Sequence, residues 1–423
     1  MSLPSNNSPL GTGPRPLAIA MAGMLALATA MGIGRFAFTP LLPMMLADGV
    51  LNLRSASWLA SANYFGYLVG ALLCIFQPWL WRRFGFLPGF AASSAVRIGM
   101  VATCVLTLSM ALHWPAVWPL LRFAAGMASA FVFVFTSGWC LAQLASHRAS
   151  ALGGVMYAGP GAGIAFSGLL ASGMVAMHWT AAAGWFVMGT AAVLMTVAVW
   201  RAFGQQAPAH PSAPMAPGPS ASLQSDHAAS AESAGRNQLL LLAVVYGIAG
   251  FGYIITATFL PVIARQALPA SAWLDLFWPV FGLGVIVGAL LATRLPLGGD
   301  LRYLLSGSYF VQALGIAVSV WSPTLVGFVV SSLLLGIPFT AITFFAMQEV
   351  RRLRPQTASS YMALLTAVYG VGQISGPPLV AWLLRHSATL AEGFAQALGI
   401  AAISLVGGAA MYLGMAKAYP MRG

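Results

Sequence analysis

The sequence predicts an all-α integral membrane protein with twelve transmembrane helices in two parallel six-helix repeats. Three observations lead to this fold class: an apolar composition, twelve long apolar runs, and a repeat at a constant offset. The 423 residues are 59% hydrophobic and only 6% charged, whereas a soluble globular protein has about 25% charged residues. This composition excludes a chain that is mostly soluble.

Twelve apolar runs are long enough to span a membrane, since a helix needs about 20 apolar residues to cross the hydrocarbon layer. Most of the connections between the runs are short. The predicted spans cover residues 17–46, 57–80, 86–112, 115–142, 151–177, 180–200, 239–264, 273–295, 303–321, 324–348, 358–384 and 391–416.

The longest connection is rich in Pro, Ala and Ser, and this composition predicts a flexible linker rather than a folded domain. It leaves six spans on each side. We therefore expect five parts: an N-terminal tail at 1–16, a six-helix bundle at 17–200, the linker at 201–238, a second six-helix bundle at 239–418 and a C-terminal tail at 419–423.

The basic residues predict the orientation. If the N-terminus is cytoplasmic, 13 Arg and Lys residues lie on the cytoplasmic side and 3 on the opposite side, while Arg35, Arg97 and Arg122 lie within spans. Cytoplasmic loops of membrane proteins carry such an excess. We therefore expect a multi-pass protein of the bacterial cytoplasmic (inner) membrane with both termini in the cytoplasm. The net charge of +12 then needs no nucleic-acid partner.

An internal repeat appears when the chain is shifted by 218 residues. The stretch "GYLVGALL" (66–73) then falls on "GVIVGALL" (284–291), and Gly32 and Gly34 fall on Gly250 and Gly252. Small residues four apart let helices approach closely in lipid. Two tandem units of the same topology are parallel repeats, related by an axis along the membrane normal.

The six-plus-six spans, the long central connection and the repeat resemble the major facilitator superfamily over residues 17–418. The stretches "GIGRFAFTPLLPMM" and "RFAAGMASAFVFVFTS" (122–137) resemble its YbfB/YjiJ-type branch. The resemblance implies a transporter whose helices 1, 4, 7 and 10 line a central cavity. The family's loop between helices 2 and 3 is degraded here, because "LWRRFG" has Arg82 where an aspartate is usual. The matching "GGDLRY" in the second half keeps Asp300.

Arg35 is the one charged residue of the first predicted span, and Arg122 lies in the fourth. No carboxylate lies in the middle of any span, so neither arginine has an obvious counter-ion in the chain. Arginine binds carboxylate or phosphate through two parallel hydrogen bonds, which predicts an anionic or zwitterionic substrate. The alternative is that the two arginines bind backbone carbonyls, tyrosine hydroxyls or water and hold the helices in register.

The superfamily resemblance places other polar residues around the same cavity. The predicted substrate-binding residues are Arg35, Thr39, Asn63, Tyr67, Arg122, Tyr157, Tyr253, Thr343, Tyr369 and Gln373, with a gate at Arg82, Arg83, Asp300 and Glu349. Asp275 and Asp48 are the candidates for proton coupling, and the alternative for each is a solvated charge at a span end.

These features predict a secondary active transporter that moves a small organic anion or zwitterion by alternating access. A broad-specificity efflux carrier for drugs or sugars is the alternative, followed by a transporter-like membrane sensor. The sequence contains no nucleotide loop or hydrolase motif, so we expect no enzymatic activity, no cofactor and no metal. The expected partners are a small-molecule substrate, membrane lipid and protons, and the expected state is a monomer.

Overall fold

The computed structural model describes residues 15–83, 91–204, 227–269, 271–295, 298–354 and 358–420. These residues form helices and connections, with no strand among them. Within this part of the chain, eleven helices are long and apolar enough to cross a membrane. A further long helix, Ala358–His386, contains Gln373 and two prolines, which lower its apolarity. The prediction of twelve membrane-spanning helices is confirmed.

We number the twelve helices in chain order. Helix α1 contains a π-helical segment, α5 is interrupted at Ala158, and α8 is preceded by the 3-10 turn Ala272–Leu276. The bounds are α1 Pro16–Ala47, α2 Leu53–Arg83, α3 Ala92–Ser109, α4 Trp118–Ser146, α5 Gly153–Ala176, α6 Ala181–Val199, α7 His227–Ala267, α8 Phe277–Ala292, α9 Leu301–Trp321, α10 Leu325–Leu353, α11 Ala358–His386 and α12 Leu390–Ala418.

Helix α7 begins at His227, earlier than the predicted residue 239, so the last part of the expected linker is helical. Residues 227–236 read "HAASAESAGR" and contain no proline, and alanine and glutamate favour helix. The proline-rich part of the linker and the ends of both tails lie outside the described residues.

Helix α1 is irregular around Arg35. An α-helical segment, Pro16–Leu27, leads into a π-helix, Ala28–Arg35, and a second α-helical segment runs over Phe38–Ala47. Pro40 has no N–H to donate to the Phe36 carbonyl, and the regular pattern resumes where Leu41 N donates to Ala37 O at 3.2 Å. The helix is therefore interrupted beside Arg35, and π turns are frequent at functional sites.

The repeated glycines pack their helices in the same way in each half. A Cβ atom on Gly70 of α2 would lie 2.8 Å from the Met127 carbonyl oxygen of α4. A Cβ atom on the equivalent Gly288 of α8 would overlap the Ile337 carbonyl oxygen of α10. Since no larger side chain fits either contact, the close approach expected from the sequence is present in both repeats.

Between residues that the structure describes, five hydrogen bonds join the first half to the second. We call the end of the bundle where α1 begins and α12 ends the termini side, and the other end the far side. Helices α1, α5, α7 and α11 run towards the far side, and their residues that form these bonds lie in their second halves. Helices α2 and α8 begin at the far side, and the bonding residues there lie in the first half of α2 and in the turn before α8. Each of the five bonds therefore lies between the middle of the bundle and the far side. They are Arg35–Gln373, Thr39–Ala257, Ser61–Ile374, Tyr64–Thr258 and Ser172–Asp275.

We expect Gly288→Ala to destabilise the protein, because the added methyl group would clash with the α10 backbone. The matched control is Gly399→Ala in α12, where a Cβ atom meets nothing within 4 Å. Alanine in place of an unconstrained helical glycine favours the helix by up to about 1 kcal/mol. Thermal unfolding in detergent should show a lower melting temperature for Gly288→Ala and no loss for Gly399→Ala. Equal melting temperatures would contradict the packing.

Candidate functional site

Arg35 lies inside the bundle and does not face lipid. Its side chain is buried, and about 18 Å of helix rise separate it from the far end of α1. Its Nη2 donates a hydrogen bond to Oε1 of Gln373 on α11 at 2.7 Å. Its guanidinium carbon lies 3.9 Å from the centroid of the Tyr67 ring on α2. The charge is therefore held near the middle of the bundle by an amide and an aromatic face.

No carboxylate lies within ion-pair distance of Arg35 among the described residues. An arginine at the bilayer centre costs about 2.5–3.5 kcal/mol on insertion scales. A hydrogen bond to a charged group contributes about 1.5–3 kcal/mol, and a cation–π contact about 0.5–2 kcal/mol. These contacts offset the insertion cost, but they leave the positive charge without a neutralising partner.

Gln373 connects Arg35 to a group of stacked tyrosines. Its Nε2 donates to the hydroxyl oxygen of Tyr253 on α7, and Tyr253 is the residue that the 218-residue repeat places opposite Arg35. The Tyr369 ring stacks on Tyr253 with centroids 6.0 Å apart and on Tyr246 with centroids 4.7 Å apart. Tyr369 and Gln373 are four residues apart and so share one face of α11, and both contact α7.

Arg122 supports the backbone that carries Arg35. Its Nη1 and Nη2 donate to the carbonyl oxygens of Gly34 and Arg35, at 3.2 and 2.9 Å. These carbonyls lie at the end of the π-helix, where the regular helical hydrogen bonds are interrupted. The Arg122 side chain is only 2% exposed. The geometry favours the structural alternative for Arg122, and its predicted contact with substrate stays a prediction.

The other predicted binding residues fall into two groups. Thr39 and Asn63 are fully buried and bond to protein carbonyls: Thr39 Oγ1 donates to Ala257 O at 3.0 Å, and Asn63 Nδ2 donates to Arg122 O at 2.9 Å. Tyr67, Tyr157, Thr343 and Tyr369 are half-buried. Thr343 Oγ1 accepts from the Tyr246 hydroxyl at 2.9 Å. We therefore regard Tyr67, Thr343 and Tyr369, with Arg35 and Gln373, as the candidate site. The ring of Tyr157 packs on Phe133 of α4, with centroids 6.2 Å apart, and its contact with substrate stays a prediction.

The sequence analysis missed Tyr64 and Thr258. The two hydroxyl oxygens lie 2.8 Å apart and join α2 to α7. The Tyr64 ring centroid also lies 5.5 Å from the Arg35 guanidinium carbon. Tyr64 precedes Tyr67 by three residues and so shares its helix face. That spacing was the available signal.

A charged cluster lies at the termini side of the second half. Arg302 is 1% exposed and forms an ion pair with Asp300 at 2.7 Å, and it donates to the carbonyl oxygens of Met415 and Tyr419. Glu349, which is fully buried, pairs with Arg352 at 2.8 Å. The cluster therefore joins α9, α10 and α12 within one half.

The expected gate across the two halves stays a prediction. Asp300 and Glu349 bind arginines of their own half. Arg83 is exposed at the end of α2, and the side chain of Arg82 lies outside the described residues.

The two carboxylates expected to couple protons lie at the far side. Asp48 Oδ2 accepts a hydrogen bond from Ala181 N at 2.6 Å, which caps the start of α6. Asp275 forms an ion pair with Arg265. Both contacts fit the structural alternative for these residues, and proton coupling through either one stays a prediction.

We expect the two buried arginines to respond differently to neutralisation. Arg122→Gln should lower the melting temperature, because two buried carbonyls lose their donors at about 1–3 kcal/mol each. Arg35→Gln should leave the melting temperature unchanged or raise it, because an un-neutralised buried charge is removed. Thermal unfolding of both variants beside wild type tests this pair. An equal loss for both would show instead that the contacts of Arg35 outweigh the cost of burying its charge.

The Asp300 carboxyl predicts a pH dependence of stability. Burial raises its pKa, but hydrogen bonds from Arg302 and the charges of Arg302 and Arg352 outweigh burial, so its pKa lies below the usual value. The ionised carboxylate therefore stabilises the fold above about pH 4, the ordinary aspartate pKa, and this contribution is lost as pH falls through the lower folded-state pKa. Melting temperatures measured from neutral to acidic pH should fall less for Asp300→Asn than for wild type. Parallel curves would contradict this role.

Solved transporter structures share the overall fold. A mutant form of the nucleoside transporter NupG is 13% identical, with a TM-score of 0.68, over 94% of this chain and 99% of that chain. A bacterial homologue of the human lysosomal transporter Spinster, in an inward-facing and occupied conformation, is 11% identical, with a TM-score of 0.65, over 96% and 98% of the two chains. Its inward-facing, unoccupied form gives 13% and 0.63 over the same shares. At this identity the likeness shows the fold alone.

No curated protein gives a significant sequence match. Residues 27–413, which are most of the chain, match the family described as "Uncharacterised MFS-type transporter YbfB". The chain therefore belongs to this family of membrane transporters within the major facilitator superfamily.

Proposed function

We propose that this transporter is a secondary carrier that moves a small organic anion or zwitterion across the membrane by alternating access. The observation that carries the proposal is the buried Arg35 guanidinium, which has no carboxylate partner among the described residues. A carboxylate or phosphate of the substrate would supply the missing negative charge through bidentate hydrogen bonds.

The surroundings of Arg35 support an organic rather than an inorganic anion. Tyr67 covers the guanidinium, Tyr369 is the middle ring of the tyrosine stack, and both rings are half-buried. Aromatic walls with a few polar groups are typical of sites for small organic molecules. A substrate with a carboxylate and an apolar or planar body would fit both kinds of contact.

Alternating access is supported by where the two halves are joined. The five hydrogen bonds between the halves run from the middle of the bundle to the far side. We call the contact that these five hydrogen bonds form between the two halves the seam. Rocking of two six-helix bundles around a midplane site would open the seam and close the termini side. We propose that the termini are cytoplasmic, in the inner membrane of a bacterium, so the far side faces outwards.

A broad-specificity efflux carrier is the second candidate. The stacked rings of Tyr246, Tyr253 and Tyr369 favour it, because aromatic faces also bind apolar cations. Such a carrier would bind neutral or cationic compounds and would not depend on the charge of Arg35.

Thermal unfolding with a ligand panel would separate the two proposals. The panel contains acetate, benzoate, succinate, phosphate, glycine, glucose and tetraphenylphosphonium. A ligand at 100 times its Kd stabilises the folded state by about 2.7 kcal/mol. We expect one or more anions to raise the melting temperature of wild type and not that of Arg35→Gln.

Arg97→Gln is the matched control, because Arg97 donates to the Trp200 carbonyl at the end of α6, away from Arg35. It should keep the response to anions. Equal stabilisation of wild type and Arg35→Gln by tetraphenylphosphonium would favour the efflux carrier. Uptake into proteoliposomes with an imposed pH gradient would then test proton coupling.

A further inference from the structure

Gln373 is the residue through which the second half contacts the charge of the first half. Arg35 belongs to α1, whereas Gln373 and Tyr253 belong to α11 and α7. The bond from Arg35 to Gln373 is charge-assisted, and such bonds are about twice as strong as neutral ones. The other four bonds of the seam are donated by the hydroxyl groups of Thr39, Ser61, Tyr64 or Thr258, and Ser172.

The orientation of the Gln373 amide follows from its two neighbours. The guanidinium of Arg35 can only donate, so the amide oxygen must face it. The amide nitrogen then points to the hydroxyl oxygen of Tyr253 and donates to it. Gln373 is 1% exposed, and both ends of its amide are therefore satisfied in this state.

The neutrality of Gln373 has a direct electrostatic consequence. A glutamate at this position would form a buried ion pair with Arg35 and cancel its charge. The amide holds the guanidinium in place with the same oxygen geometry but leaves the positive charge un-neutralised. An incoming carboxylate can therefore compete for Arg35 against a neutral acceptor rather than against another carboxylate.

We propose that Gln373 is a neutral latch that both selects for anions and ties the two halves together on the far side. This inference rests on the proposed anion site for its release step: a substrate carboxylate takes the place of the Gln373 oxygen on Arg35 and thereby breaks the strongest bond of the seam. Binding of the cargo is then coupled directly to opening of the far side.

The latch is tested without any substrate. Nitroxide labels are placed at Arg54→Cys and Arg385→Cys, which are exposed at the far ends of α2 and α11, in a chain that also carries Cys74→Ser. Pulsed electron paramagnetic resonance then reports the distance between the two halves. We expect Gln373→Leu to shift the distribution to longer distances than in the unmutated parent.

The matched control is Gln312→Leu. Gln312 is an equally buried amide on α9, but its Nε2 donates to Leu335 O within the second half. The label distances should stay unchanged in this variant, although its melting temperature can fall. A distribution that stays the same in Gln373→Leu, or that shifts equally in Gln312→Leu, would overturn the latch.

Gln373→Glu tests the neutrality and does not depend on how Gln373→Leu folds. We expect a melting temperature several degrees above wild type, a population of short label distances at least as large, and loss of any stabilisation by benzoate. In an Arg35→Gln background the gain in melting temperature should disappear. A gain that persists without Arg35, or a lower melting temperature when Arg35 is present, would overturn the proposal.

The outcomes distinguish this inference from the proposed function. If anions stabilise wild type but the label distances do not respond to Gln373, the anion site stands and the latch fails. If the distances respond but no anion requires Arg35, the tie between the halves stands, while its release by an anionic cargo fails with the proposed function.

Discussion

The arrangement of the bundle centre depends on one constraint: a guanidinium at bilayer depth must be solvated by protein. Arg35 obtains this from the Gln373 oxygen and the Tyr67 ring. Arg122 in turn occupies the carbonyls that the interrupted helix leaves beside Arg35. The π-helix, Arg122 and Gln373 therefore act together: the π-helix leaves the carbonyls free, Arg122 binds them, and Gln373 binds Arg35.

The two repeats share packing but differ in charge. Thr39 and Ala257 are equivalent positions that bond to each other, which places them near the axis relating the halves. Gly70 contacts Met127 of α4, and the equivalent Gly288 contacts Ile337 of α10. Equivalent positions of α4 and α10 are therefore 210 residues apart, and Ser332 is the equivalent of Arg122. Tyr253 likewise stands opposite Arg35. The charged positions of the first half thus correspond to hydroxyl-bearing residues in the second, so the two repeats differ in charge at the centre of the bundle.

The sequence predicted the features that depend on composition and spacing. The spans follow from runs of apolar residues, and the contacts of Gly70 and Gly288 follow from the repeat. Backbone carbonyls were one alternative for the partners of Arg122, but which carbonyls it binds could not be predicted, because no residue pattern indicates the π-helix that leaves them free. The pairing of Glu349 within its own half was also missed, although Arg352 follows it by three residues on the same helix and that spacing was the available signal.

The π-helix of α1 has a consequence for how this segment can change. An i→i+5 turn holds one residue more than an α-helical turn, and the wider turns of Ala28–Arg35 absorb this extra residue. Deleting a single amino acid there would restore regular winding, in which Phe38 N and Thr39 N would donate to the Gly34 and Arg35 carbonyls in place of Arg122. The number of residues in the segment, and not only their identity, therefore determines whether Arg122 has its acceptors.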